Sequence, residues 1–148
     1  MIYLFFLFLF IGGEFYLKNR AEKDLSGKEN RLLLRGKVRL RLYHNRGAFL
    51  NLLEKRRKAL LALSCFLTLG IACLFLLTLF QKGNGLLKLS LTLLLGGAFS
   101  NTYDRLKRKY VVDYFSFTTP FTALNKIVFN LSDFAILVGS LLLVLSRS

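Results

Sequence analysis

Beyond residue 58 the chain holds only three acidic side chains, Asp104, Asp113 and Asp133. Two of them sit in apolar company: Tyr110-Val111-Val112-Asp113-Tyr114-Phe115 surrounds one, and Val128-Phe129-Asn130-Leu131-Ser132-Asp133 leads to the other. An ionised carboxylate in a helix at lipid depth costs roughly 3 kcal/mol, so each needs a reason to be there. Two carboxylates in a poorly solvated place cannot easily both ionise, and their repulsion splits the titration. One then holds a proton near neutral pH while the other does not. That is aspartic peptidase chemistry: the ionised acid takes a proton from water and the protonated acid hydrogen-bonds the substrate carbonyl. The competing reading is structural, with Asp133 capping or pairing with Arg105 or Lys126 and Asp113 a loop acid.

The elements that must position these acids are apolar blocks. Of 148 residues, 54% are hydrophobic, and they come in long runs rather than short stripes. Ala59 to Phe80 carries no charge, Ile127 to Ser146 only Asp133, Leu86 to Tyr103 only Lys88, and Met1 to Leu17 only Glu14. About 20 apolar residues cross a hydrocarbon core. The reading is therefore an all-α membrane protein, a single domain over 1–148, with four transmembrane helices at about 1–17, 59–80, 86–103 and 127–146. The first run has no basic residue before it, and Gly12-Gly13-Glu14 is a poor cleavage site, so it reads as a retained helix. Lys82-Gly83-Asn84-Gly85 is a tight turn that makes its flanking helices antiparallel neighbours. Asp133 then lies about 10 Å into the last helix, on the side of the membrane where the third helix ends. The two acids can meet near one interface.

Between Lys18 and Lys58 lie 14 of the 22 basic residues, which dominate a net charge of +14. In a soluble chain that balance would suggest nucleic acid; beside apolar spans it suggests anionic lipid head groups. Within this region Val38, Leu40 and Leu42 alternate with Lys37, Arg39 and Arg41, the period of a half-buried strand. The aromatic, basic segment after the third helix reads as loop. Cys65 and Cys73 share one apolar run, where buried thiols are ordinary packing residues. With His44 the only histidine, no metal centre is expected, and no cofactor.

Three stretches carry a resemblance. Gly96-Gly97-Ala98-Phe99-Ser100-Asn101-Thr102-Tyr103-Asp104-Arg105, Tyr110-Val111-Val112-Asp113-Tyr114 and Phe129-Asn130-Leu131-Ser132-Asp133 resemble, in order and spacing, the signature of signal peptidase II. Tyr43-His44-Asn45-Arg46-Gly47-Ala48-Phe49 looks like a fourth segment of that family, one alanine short, and Glu14 and Lys18 fall where the family has an acid and a lysine. Glu14 stands for the usual aspartate, Tyr114 for phenylalanine and Ser132 for alanine.

The resemblance implies a peptidase that cuts lipid-modified prolipoproteins before the diacylglyceryl cysteine, with Asp113 and Asp133 as the catalytic pair. Asn45, Asn101, Arg105 and Asn130 match positions lining or bracing that site, and Asp104 is expected to brace. It also implies a cell-membrane location, residues 18–58 and the acids facing the extracytoplasmic side, and prolipoproteins and membrane lipids as partners, with no nucleic acid or metal. The Lys and Arg count would instead put residues 18–58 in the cytoplasm; the motifs are the more specific signal. A different class of reading makes the chain a non-catalytic basic membrane protein that binds anionic lipid or scaffolds a partner. A serine–lysine peptidase is weaker, because Ser100 and Ser132 lack a lysine at an obvious partner spacing.

Overall fold

The structure, a computed structural model, describes residues 1–27, 30–47 and 54–146. Helix α1 spans Ile2–Leu25, about 36 Å long. It continues two turns beyond the expected end at Leu17. The polar tail stays helical because its charges fall on helical spacing, as in the Arg20–Asp24 ion pair at 2.9 Å. Its buried residues, Leu7, Glu14, Lys18, Ala21 and Leu25, form one stripe.

Strands β1 (Arg31–Leu33) and β2 (Val38–Asn45) form the alternating region. Between them Leu34, Arg35 and Gly36 all have positive φ, a turn that suits Gly36 best. Helix α2 covers Arg57–Leu79, after a single 3-10 turn at Glu54–Arg56, and α3 covers Gly85–Lys107. The segment read as loop contains a third strand, β3 (Val111–Phe117), antiparallel to β2, so the sheet order is β1-β2-β3. Val111 to Tyr114 are all buried, which erases the alternation that marks a strand facing water. A short helix α4 (Thr122–Lys126) precedes α5 (Leu131–Leu145). The last helix thus begins later than the expected residue 127. Phe129 exchanges backbone bonds with Phe115, donating at 2.7 Å and accepting at 3.1 Å, which keeps the approach to α5 extended.

Helix α3 is the central element, packed on α1, α2 and α5. Its glycines set the spacing. A Cβ at Gly97 would lie 2.6 Å from the Ser132 carbonyl, and one at Gly96 would lie 2.8 Å from the Phe10 ring. Small residues let helices approach this closely where lipid supplies no hydrophobic driving force. Burial is inverted relative to a water-soluble protein. Phe8, Phe66, Leu69, Leu77 and Leu141 face outward, while Glu14, Lys18, Ser100, Asn101, Asp104 and Asn130 are buried. That pattern fits a lipid solvent around a polar interior. Among the described residues α1 and α2 are long and apolar enough to cross a membrane. Helix α3 is as long as α2 but more polar, and α5 has 15 residues, about 22 Å.

Candidate active site

Strand pairing and one helix terminus bring the two acids together. The β2–β3 register sets Tyr43 opposite Asp113 and Asn45 opposite Val111, so Asn45 lies diagonally beside the acid. Asn45 Nδ2 donates to Asp113 Oδ2 at 3.1 Å. Asn130 is the N-cap of α5: its Oδ1 accepts the Asp133 N–H at 3.0 Å, and Asp133 Oδ2 accepts the Asn130 N–H at 3.0 Å. This reciprocal capping box fixes the Asp133 rotamer. Asp133 Oδ1 accepts from Asn101 Nδ2 at 3.1 Å, and Asn130 Nδ2 donates to Asp113 Oδ1 at 2.6 Å. All four carboxylate oxygens therefore face N–H donors that orient them without adding charge.

Asp113, Asp133, Asn45, Asn101 and Arg105 line one cavity of about 200 Å³, with Val128 and Ile136 among its apolar walls. Burial, then the neighbouring Asp133 carboxylate, pushes the pKa of Asp113 up to about 7. The geometry suits a pair that shares one proton near neutrality. The capping role weighed for Asp133 is present, and it serves to aim the carboxylate.

Behind the cavity lies a buried polar layer. Lys18 Nζ donates to Ser100 Oγ, to Asn101 Oδ1 and to Asp104 Oδ2, each at 2.9 Å, with Glu14 at 3.8 Å. All three ammonium protons have partners. Asp104 also accepts the Val112 N–H at 3.1 Å and pairs with Arg108 at 3.0 Å, so it ties α3 to β3 and does not line the cavity. Arg105 donates to the carbonyls of Asn101 and Gly47. Ala48 and Phe49 of the fourth segment lie outside the described residues.

Sequence reasoning missed what Glu14, Tyr114 and Ser132 do together. Glu14 Oε1 accepts from Ser132 N at 3.1 Å and from Ser132 Oγ at 2.9 Å, while Tyr114 Oη donates to Oε2 at 2.9 Å. Tyr114 Oη in turn accepts the Leu131 N–H at 3.1 Å. With the Asn130 cap, the N–H groups of Leu131, Ser132 and Asp133 all find partners, which a buried helix start requires. Three of the four departures from the family pattern meet at one point; their shared position against α5 was the missing signal.

The family model for signal peptidase (SPase) II matches residues 6–147. The chain belongs to the signal peptidase II family. It is a peptidase of the membrane. A lipoprotein signal peptidase from Caldicellulosiruptor bescii is 35% identical over 127 residues, covering 85% of this chain and 77% of that one. One from Fusobacterium nucleatum is 26% identical, covering 99% and 86%. A bacterial membrane enzyme solved by the in meso method at 2.3 Å shares the fold, with a TM-score of 0.83 over 99% of this chain and 87% of that one, at 14% identity. A second, solved at 1.9 Å, gives a TM-score of 0.79 at 16% identity, over 99% and 92%.

Proposed function

We infer that this signal peptidase II family member removes signal peptides from lipid-modified prolipoproteins, with Asp113 and Asp133 activating the attacking water. The observation that carries the mechanism is the pairing of two buried acids on one cavity, each held by asparagine donors. Near neutral pH the pair holds one proton. The ionised member takes a proton from water as it attacks the scissile carbonyl, and the protonated member hydrogen-bonds the developing oxyanion. The proton then passes to the leaving amine. It belongs to the pair rather than to either residue.

In this reading the protein is one membrane-embedded unit with four crossings, in the cell membrane, and residues 18–58 and the acids face the extracytoplasmic side. The cavity lies near one membrane interface, where strands β2 and β3 meet the end of α3 and the start of α5, so substrate enters laterally from the bilayer. Its acyl chains supply binding at about 0.8 kcal/mol per buried methylene. The decisive experiment compares lipid-modified and unmodified precursor peptides in detergent. Cleavage of the modified peptide before its cysteine is expected, with the unmodified one cut poorly. Equal cleavage of both would overturn the substrate assignment. Labelling by an impermeant thiol reagent of Ser26→Cys, in a chain lacking Cys65 and Cys73, reads the orientation in intact cells.

A further inference from the structure

The seam between α2 and α3 holds two voids, one above the other. The deeper, about 460 Å³, is lined by Cys65, Leu69 and Ala72 on α2 and by Leu95, Phe99 and Leu106 on α3. Its two threonines, Thr68 and Thr102, bond to each other at 2.9 Å, so it presents only apolar surface. From Leu95 to Leu106 it runs about 16 Å along α3, roughly the hydrocarbon depth of one leaflet. The shallower void, about 430 Å³, begins one turn away at Leu61 and is lined by Arg46, Arg57, Lys58, Arg105 and Lys109. No acid lines it. The two lie at the end of the bundle where α2 starts and α3 finishes, the level of lipid phosphates if these helices span the bilayer.

We propose that this seam is a binding site for an anionic glycerophospholipid, its acyl chain in the apolar groove and its phosphate in the cationic void. The argument is charge complementarity joined to length: an apolar slot of leaflet depth opens under a cluster of cations of a single sign. Basic pockets between membrane helices select anionic head groups in this way. A zwitterionic lipid would fill the slot equally well but would gain little from the cations. The site is separate from the acid pair, although Arg105 lines both cavities. It does not depend on the peptidase reading.

The chain contains no tryptophan, so a single introduced one is a clean reporter. Ala72→Trp places it in the groove, and Leu137→Trp places it on the outward surface of α5 at comparable depth, both level with Leu95 and Gly97 of α3. Full-length protein is reconstituted in phosphatidylcholine containing a small fraction of brominated phosphatidylglycerol or brominated phosphatidylcholine. Quenching at position 72 should favour phosphatidylglycerol about fivefold or more, the effect of one well-placed cation. Position 137 should show no such preference. Lys58→Gln with Lys109→Gln should bring the preference at 72 to within about twofold, and the charge-preserving Lys58→Arg with Lys109→Arg should retain it. Equal preference at 72 and 137 would mean general enrichment around a basic protein and would overturn the site. No preference at 72, or a preference unchanged by the neutral pair, would overturn it too.

Discussion

Asn130 donates its amide to Asp113 at 2.6 Å while serving as the N-cap of the helix that carries Asp133. One side chain thus sets the distance between a strand acid and a helix acid. Its own position is fixed by burial, with no exposed surface.

Asp113→Asn and Asp133→Asn should each reduce cleavage at least a thousandfold while leaving inserted, folded protein. The amide is nearly isosteric but can neither act as base nor share the proton. Turnover of a lipid-modified precursor at matched protein amounts is the measurement. Near-normal activity in either variant would remove the aspartyl mechanism and favour the non-catalytic lipid-binding reading.

Stability should depend on pH in a specific direction. Asp113 titrates at about 7 in the folded chain against an ordinary value of 3.8. Between those values the folded state holds a proton that the unfolded state has lost. The contribution is therefore complete below about 3.8 and disappears as pH rises through about 7, on the order of 4 kcal/mol at most. Thermal unfolding in detergent from pH 4 to 8 should show this decline, and Asp113→Asn should flatten it. Activity should pass through a bell whose limbs belong to the pair.

Lys18→Met should destabilise the protein by about 3–5 kcal/mol, because it takes a buried cation from Asp104, which keeps Arg108, and leaves Glu14 with the uncharged donors of Ser132 and Tyr114. Asp104→Asn should also lower the yield of folded protein, through lost contacts to Lys18, Arg108 and the Val112 amide. The double variant should be less damaged than the sum of the two. Strict additivity in melting temperature would argue against direct pairing.

Tyr114→Phe leaves the Leu131 N–H and Glu14 Oε2 without the phenol and should cost about 1–3 kcal/mol. Ser132→Ala should cost less, since the Ser132 N–H still reaches Glu14. Because Ser132 directly precedes Asp133 and Tyr114 directly follows Asp113, kcat should fall more than KM rises. An unchanged kcat in Tyr114→Phe would confine the network to stability.

Gly97→Ala drives a methyl against the Ser132 carbonyl and Ile136. Separating α5 from α3 should cost about 1–3 kcal/mol and lengthen the Asn101–Asp133 bond. Gly70→Ala, where nothing lies within 4 Å, is the control and should be neutral or mildly stabilising in a melting assay.

The residues of the cavity were legible because acidic side chains are scarce after residue 58 and asparagine has few reasons to be buried in lipid. Asp113, Asp133, Asn45, Asn101 and Asn130 are joined by direct hydrogen bonds. Elements with mixed signals were not legible. Strand β3 is buried on both faces near Asp113 and so shows no period of two. Ile127 to Phe129 are as apolar as the helix that follows, yet backbone pairing with Phe115 holds them extended. In sequence the first helix reads as ending at Leu17, because the partners of the charges beyond it are a turn away or on distant elements. The Tyr114 hydroxyl is a single atom whose partners lie 17 and 100 positions away in sequence.

The 3.8 Å spacing between Glu14 and Lys18 on consecutive turns of α1 bears on how the protein is built. A helix entering lipid ahead of its neighbours must neutralise its own charges, and this one carries its counterion one turn away. In the folded bundle the ammonium has Asp104, Ser100 and Asn101 of α3 at 2.9 Å, and the carboxylate has Ser132 of α5 and Tyr114 of β3. The expected assembly is therefore a handover, in which the pair neutralises α1 until the other elements supply nearer partners. An insertion assay on α1 should find Glu14→Ala impaired before any other helix is present; unimpaired insertion would exclude the handover.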